Sequence, residues 1–201
     1  LTITFDDGYL NQYEIAARIL REEGDIPAVL FATGRALRAT CPNEALIVDQ
    51  LTHWVGLAPE IKDRRAKWVR EIRPAYARDS EAKGRKLMSK LNAIFPFDAI
   101  WEKLPKEYKH LRLTGISLDK LDELRCRGWK IGWHTENHYP LSSLEDSDKR
   151  TEMTNGLIGF DNIMSYPYGE LISVDKRATE IAAELGYDVA FSNQGRHNGL
   201  E

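Results

Sequence analysis

Three stretches of the chain repeat one layout, and that layout restricts the fold more than any other feature. NQYEIAARILREEG (11–24) leads into DIPAVLFAT, SLDKLDELRCRG (117–128) into WKIGWHT, and SVDKRATEIAAELG (173–186) into YDVAFSN. Each opens on a residue suited to an N-cap, Asn11, Ser117 or Ser173, whose side chain can accept from a free backbone N–H. Each closes on a glycine, Gly24, Gly128 or Gly186, the residue that best tolerates the left-handed helix stop. Apolar positions follow helical spacing, as in Ile15, Ile19 and Leu20 or Leu118, Leu121 and Leu124. A short apolar run then follows after only a few residues. Helix, glycine, short loop and buried strand together predict a parallel sheet covered by helices.

LTITF at the start and IMSYPYG at 163–169 add two strand candidates. Five or more parallel strands in a chain of 201 residues suit either a barrel-like or an open α/β sheet. The units recur at unequal intervals and their strands end in different polar residues, so this is not a solenoid. The stretch from about 41 to 113 breaks the rhythm. Helical patterns cover Ala45–Leu57, Ile61–Ile72 and Glu81–Ile94, punctuated by Pro74, Pro96 and Pro105. It reads as a helical insertion within a single domain spanning 1–201, and its Trp54, Trp68 and Trp101 read as packing residues of that insertion.

Composition excludes several classes of function. Lys and Arg number 28 against 31 Asp and Glu, a net charge of −3, so no positive excess points to nucleic acid or an anionic membrane. No apolar run approaches the roughly 20 residues of a membrane-spanning helix. Cys41 and Cys126 are too few for a disulfide framework or a four-cysteine zinc site, and each reads as a small, partly buried apolar residue. No signal peptide is visible, which favours the cytoplasm. The chain nevertheless opens at Leu1 inside a strand-like run, so its start reads as trimmed and export stays open. Oligomeric state is not legible.

Three clusters carry chemistry. In Thr4-Phe5-Asp6-Asp7-Gly8, two carboxylates follow an alternating strand, at the strand end where α/β proteins build their sites. Adjacent carboxylates repel unless a cation or proton lies between them. Taken alone, the turn is equally a solvated loop. In Trp133-His134-Thr135-Glu136-Asn137-His138, two histidines four residues apart follow the strand-like WKIGW. Their rings can converge on one ion if the loop makes a helical turn; a pair of surface histidines is the other reading. His53, His110 and His197 lack such partners and read as surface or packing residues. In Tyr166-Pro167-Tyr168-Gly169, Pro167 removes one donor and restricts Tyr166 to extended backbone, which can aim the Tyr168 N–H out of a strand end. By itself this tetrapeptide is a strand-ending turn.

The three clusters share one face of a parallel sheet. One Asp with two His makes a mixed N/O set suited to Zn²⁺ or a similar ion. A second Asp could take a proton from an activated water, the ion could polarise an acyl oxygen, and a backbone N–H could share the developing charge. Such parts hydrolyse an amide or ester.

TFDDG, then His-Thr-x-x-His, then the Tyr-Pro-Tyr-Gly strand end, in this order and with EL-x-x-RGW-x-IG-x-HT leading to the histidines, resemble the polysaccharide deacetylase family, the NodB homology domain of carbohydrate esterase family 4. The resemblance covers 1–40 and 114–195 and leaves the insertion outside. It implies a distorted (β/α) barrel and removal of N-acetyl groups from an amino sugar or polysaccharide. It further implies Asp6 as catalytic base, and Asp7, His134 and His138 as ligands of one divalent ion, Zn²⁺ first, Co²⁺ or Ni²⁺ otherwise. The Tyr168 N–H would then help bind the tetrahedral intermediate, with Tyr166 and Pro167 at the substrate. Two departures stand out. Ser165 occupies a place where the family often has arginine, and no late Leu-x-His segment supplies a catalytic acid before Glu201. Two other readings remain: hydrolysis of a different C–N bond, in a cyclic amide or ureide, on a related barrel, and a non-catalytic carbohydrate-binding module.

Overall fold

A computed structural model of the chain describes residues 2–38, 106, 114–154, 159–169 and 173–193. Strand β1 (Thr4–Phe5) leads to a π-helical turn (Gln12–Ala16) that runs into α1 (Ala17–Glu22), then to β2 (Val29–Ala32) and α2 (Gly34–Arg38). From residue 114 onward come α3 (Leu118–Cys126), β3 (Lys130–Trp133), a 3-10 turn (Leu141–Ser143), α4 (Asp146–Met153), β4 (Ile163–Ser165), α5 (Lys176–Glu184) and β5 (Val189–Phe191). All five strand runs expected from the sequence are present. The helical insertion expected at about 41–113, with Cys41, Trp54, Trp68 and Trp101, lies outside the described residues except for Lys106.

The sheet order is β1-β2-β3-β4-β5 and every neighbouring pair is parallel. Sequential order means that each crossover winds the same way, which wraps the sheet toward a barrel instead of reversing it at a switch point. Five strands curl here into a half-barrel. One ring contact measures the curl. The rings of Phe31 on β2 and Phe191 on β5 meet at a tilt with centroids 5.1 Å apart, although three strand spacings of about 4.8 Å would separate these strands in a flat sheet. Both rings therefore fill the concave side. Gly132 pairs with Phe31 in the register, and a Cβ there would come within 2.6 Å of the Phe31 ring. The missing side chain is what admits the phenyl group.

The convex side holds the helices in two clusters. Leu30, Ile131, Leu121, Leu124, Trp129, Ile116 and Ala17 pack α1 and α3 onto the first three strands. Trp133, Met164, Met153, Val174, Ala178 and Ile181 pack α4 and α5 onto the last three. Leu121 and Leu124 are fully buried, so cutting either to alanine would cost about 2–5 kcal/mol.

Several local expectations are corrected. Ile15, Ile19 and Leu118 share the helical spacing yet are 39%, 47% and 46% exposed; Ala17, Tyr13 and Leu20 form the inner face of the first helical unit instead. Cys126 is exposed, not partly buried. Asn11 has helical backbone angles and Ser117 an extended N-cap, and neither side chain caps its helix. In the third unit the cap is Asp175, not Ser173: its Oδ1 accepts from the Ala178 N–H at 2.8 Å. Ser173 is buried two residues earlier, and its carbonyl accepts from the Ser142 N–H. The three expected stop glycines do adopt left-handed backbone, with φ of 108°, 81° and 86°.

Asp175 has a second duty. Its Oδ2 accepts from Nζ of Lys149 at 2.7 Å, joining the start of α5 to the buried Lys149 of α4. Asp175→Ala removes both the cap and the nearer of the two carboxylates that meet the buried Lys149, leaving Asp146 at 4.0 Å, and should cost about 2–3 kcal/mol in urea unfolding. Asp175→Asn keeps a cap acceptor and should cost clearly less. A negligible loss in Asp175→Ala would mean that this pair does not hold α4 to α5.

Candidate metal centre

The loops after β1, β2 and β3 are stitched side by side beyond the ends of their strands. The Thr33 N–H donates to the Asp7 carbonyl at 3.4 Å, the Gly34 N–H to the Thr135 carbonyl at 3.0 Å, and the His134 N–H to the Ala32 carbonyl at 3.0 Å. These bonds continue the sheet's pairing past its last regular residue. They carry the aspartates of the first loop and the histidines of the third toward one place across β2.

Backbone strain marks the same place. Of the five non-glycine residues with positive φ among those described, four are Asp7 (80°), Thr135 (64°), His138 (61°) and Tyr168 (64°). Such conformations cost energy and persist only where the surroundings enforce them. The stretch His134–His138 is not the helical turn that its spacing had suggested. It is an irregular loop in which Thr135 Oγ1 accepts from the His138 N–H at 3.1 Å, and the two left-handed residues turn the second ring back toward the first. The imidazoles lie with centroids 4.9 Å apart.

Asp7 Oδ1 stands 3.4 Å from Nε2 of His134 and 3.2 Å from Nε2 of His138. It is buried and makes no hydrogen bond. One ligand atom from each of the three residues falls within 4.8 Å of the others, the one such group among the described residues. His134 is oriented from behind: its Nδ1 lies 2.7 Å from the Ser165 carbonyl. A carbonyl only accepts, so Nδ1 carries the proton and the Nε2 lone pair is directed at the group. An orphaned carboxylate oxygen facing two imidazole nitrogens fits a divalent first-row ion such as Zn²⁺.

Without such an ion the neighbouring imidazoles still act on the carboxylate. Burial opposes the Asp7 carboxylate, but both neighbouring imidazoles outweigh it and hold its pKa well below the usual range. Burial likewise opposes protonation of His134, while the charges of Asp6 and Asp7 raise its pKa above the ordinary 6.5.

The remaining expected residues are placed as follows. Asp6 is half-buried at the end of β1 and lies close enough to act electrostatically on His134. Its carbonyl accepts from the Gln12 side-chain amide, whose oxygen in turn accepts from the Tyr9 N–H, so Gln12 brackets the Asp-Asp-Gly turn. Tyr168 is beside the group, its ring centroid 4.8 Å from that of His138. Pro167 is buried. Tyr166 is buried in the convex core among Trp133, Met164 and Val174, and burial pushes its phenol up to about 12. Ser165, where arginine is frequent, contributes its backbone and not a charge.

Sequence reasoning missed Gln12, the Ser165 carbonyl and Glu152. Glu152 is buried on α4 and accepts from Asn137 and Glu136 in the histidine loop. Helix α4 reads DSDKRTEM, with too few apolar residues to announce itself, and no motif marks its last turn.

Comparison with known proteins agrees with this architecture. Residues 1–190 match the family described as polysaccharide deacetylase, and the chain belongs to that family. Among solved structures it is similar to the Streptococcus pyogenes deacetylase PplD in complex with acetate, with a TM-score of 0.51 and 16% identity over 92% of this chain and 52% of that one. The chitin deacetylase from the fungal pathogen Colletotrichum lindemuthianum is also similar, with a TM-score of 0.48 and 17% identity over 96% of this chain and 54% of that one. The chain thus spans about half the length of these two proteins, and at such identities the likeness to PplD is one of fold. The search of curated proteins gives no match. Among the described residues no helix is long and apolar enough to cross a membrane.

The ion-free cluster should leave a pH signature in stability. The lowered Asp7 pKa contributes above the ordinary 3.8 and is lost as pH falls through its folded value. The raised His134 pKa contributes below the ordinary 6.5 and is lost as pH rises through its folded value. In the presence of chelator, Asp7→Asn should therefore destabilise the protein most between about pH 4 and 6.5, and less at pH 9. Urea unfolding of both proteins across this range tests it; a difference independent of pH would contradict the pairing.

Proposed function

We propose that this chain is a metal-dependent hydrolase that removes the N-acetyl group from an amino sugar or polysaccharide. Family membership supports deacetylation as the reaction. The observation that carries the metal dependence is the convergence of Asp7, His134 and His138, with an unbonded carboxylate oxygen facing two Nε2 atoms. These three residues would hold one divalent ion, Zn²⁺ in first place and Co²⁺ or Ni²⁺ as substitutes. When bound, such an ion supplies Lewis-acid polarisation of the acyl oxygen and lowers the pKa of water.

The other roles fall to the chain's own groups. Asp6 would accept the proton of the attacking water at its carboxylate, leaving Asp7 to the ion. Having gained that proton, Asp6 would hold what the departing amine needs when the C–N bond breaks. The backbone N–H of Tyr168 would donate to the acyl oxygen as it becomes negative. Pro167 would shape the strand end against which the sugar lies through its fixed φ, while Tyr166, buried in the convex core, would support that strand end from behind.

Acetate release from N-acetylated sugars, measured with and without chelator, tests this reading. Release should stop on chelation and return when Zn²⁺ is added. A metal-loaded protein that releases no acetate from any such substrate would refute it. The two aspartates should also separate. Asp6→Asn should bind Zn²⁺ as the wild type does and lose about 10²–10⁴-fold in kcat, whereas Asp7→Asn should lose the ion. Equal loss of metal in both would refute the division of labour.

A further inference from the structure

Glu152 belongs to α4, outside all three sequence motifs, and is only 4% exposed. Its Oε2 accepts from the Asn137 backbone N–H at 2.8 Å, and its Oε1 from the Asn137 side-chain amide at 2.6 Å. Its backbone carbonyl accepts from the Glu136 N–H at 2.9 Å and from the Trp133 indole at 3.0 Å. Four bonds thus run from one residue to Trp133, Glu136 and Asn137, the neighbours of His134 and His138. The grip falls where the loop resists most, between Thr135 and His138 with their left-handed backbones. Asn137 immediately precedes His138, so fixing its N–H and its amide fixes the peptide that aims the second imidazole.

The charge state of the clamp matters as well. An ionised carboxylate offers two acceptor oxygens, matching the two Asn137 donors. A glutamine of the same length offers one oxygen and turns an NH₂ group toward the other donor.

We propose that Glu152 is a positioning residue for the metal centre, its bidentate hold on Asn137 setting the direction of His138 Nε2 toward Asp7. This rests on the reading of Asp7, His134 and His138 as ligands. Titration of Zn²⁺ into the metal-free full chain, followed by calorimetry, separates the two ideas. Glu152→Gln should weaken Zn²⁺ binding about 10- to 100-fold. Asn137→Ala, which removes one of the two carboxylate bonds from a loop position, should weaken it about 5-fold. The visible absorption of the Co²⁺-substituted variants should shift with the changed ligand direction. A purely structural role would lower Tm and leave both the Zn²⁺ Kd of folded protein and the Co²⁺ spectrum unchanged. If Glu152→Gln does not fold, Asn137→Ala decides. Wild-type Kd values in folded variants would overturn the positioning role while the ligand reading stands. Absence of Zn²⁺ binding by the wild type would overturn both.

Discussion

A buried carboxylate oxygen facing two imidazole nitrogens is the constraint around which this structure is arranged. Asp7 Oδ1 lies 3.4 and 3.2 Å from the two Nε2 atoms and has no hydrogen bond of its own. Such a group is costly to desolvate unless positive charge meets it. Protonated imidazoles or a cation can meet that need, and both put the same demand on the fold. Residues from loops more than a hundred positions apart must be held to fractions of an ångström. The structure does so with backbone bonds between successive loops and with four non-glycine residues in left-handed conformation.

The half-barrel makes that convergence geometrically short. Parallel strands in sequential order place all their carboxyl ends on one rim, and the curl draws those ends inward. The Phe31–Phe191 contact on the concave side and the absent side chain at Gly132 are the packing expression of this curl. On the convex side the helices do more than cover the sheet. Trp133 ends β3 in the core and still donates its indole N–H to Glu152 on α4, so the hydrophobic cluster and the histidine loop share a residue. Lys149, one turn earlier on α4, is anchored to the capping Asp175 of α5. Packing of the helix pair and geometry of the site are therefore mechanically joined.

Where pattern reading went astray, a tertiary partner explains the difference. Ile15, Ile19 and Leu118 follow helical spacing, but their helices cover the sheet only along one narrow side, and these three face outward. Ser173 had the right chemistry for a cap, but the helix starts two residues later, where Asp175 can also meet Lys149. Helix α4 escaped notice because it buries Lys149 and Glu152 beside a single methionine, so no apolar stripe betrays it.

The strand runs, the glycine stops and the three clusters at strand ends were all legible in the amino-acid sequence, because each depends on neighbours a few positions away; the sequential order of the strands in the sheet was not. Asp6, Asp7, His134, His138 and Tyr168 could be singled out for the same reason: each follows a strand run directly. The route by which His138 returns to Asp7 was not legible. Its spacing suggested a helical turn, whereas left-handed residues, the Thr135 hydroxyl and the Glu152 carboxylate produce the return. The Ser165 carbonyl that orients His134 could not be read either, since every residue has a carbonyl and only the fold decides which one lies behind the ring. Local chemistry is written along the chain; the direction in which a side chain points is decided by groups that meet it from elsewhere in the fold.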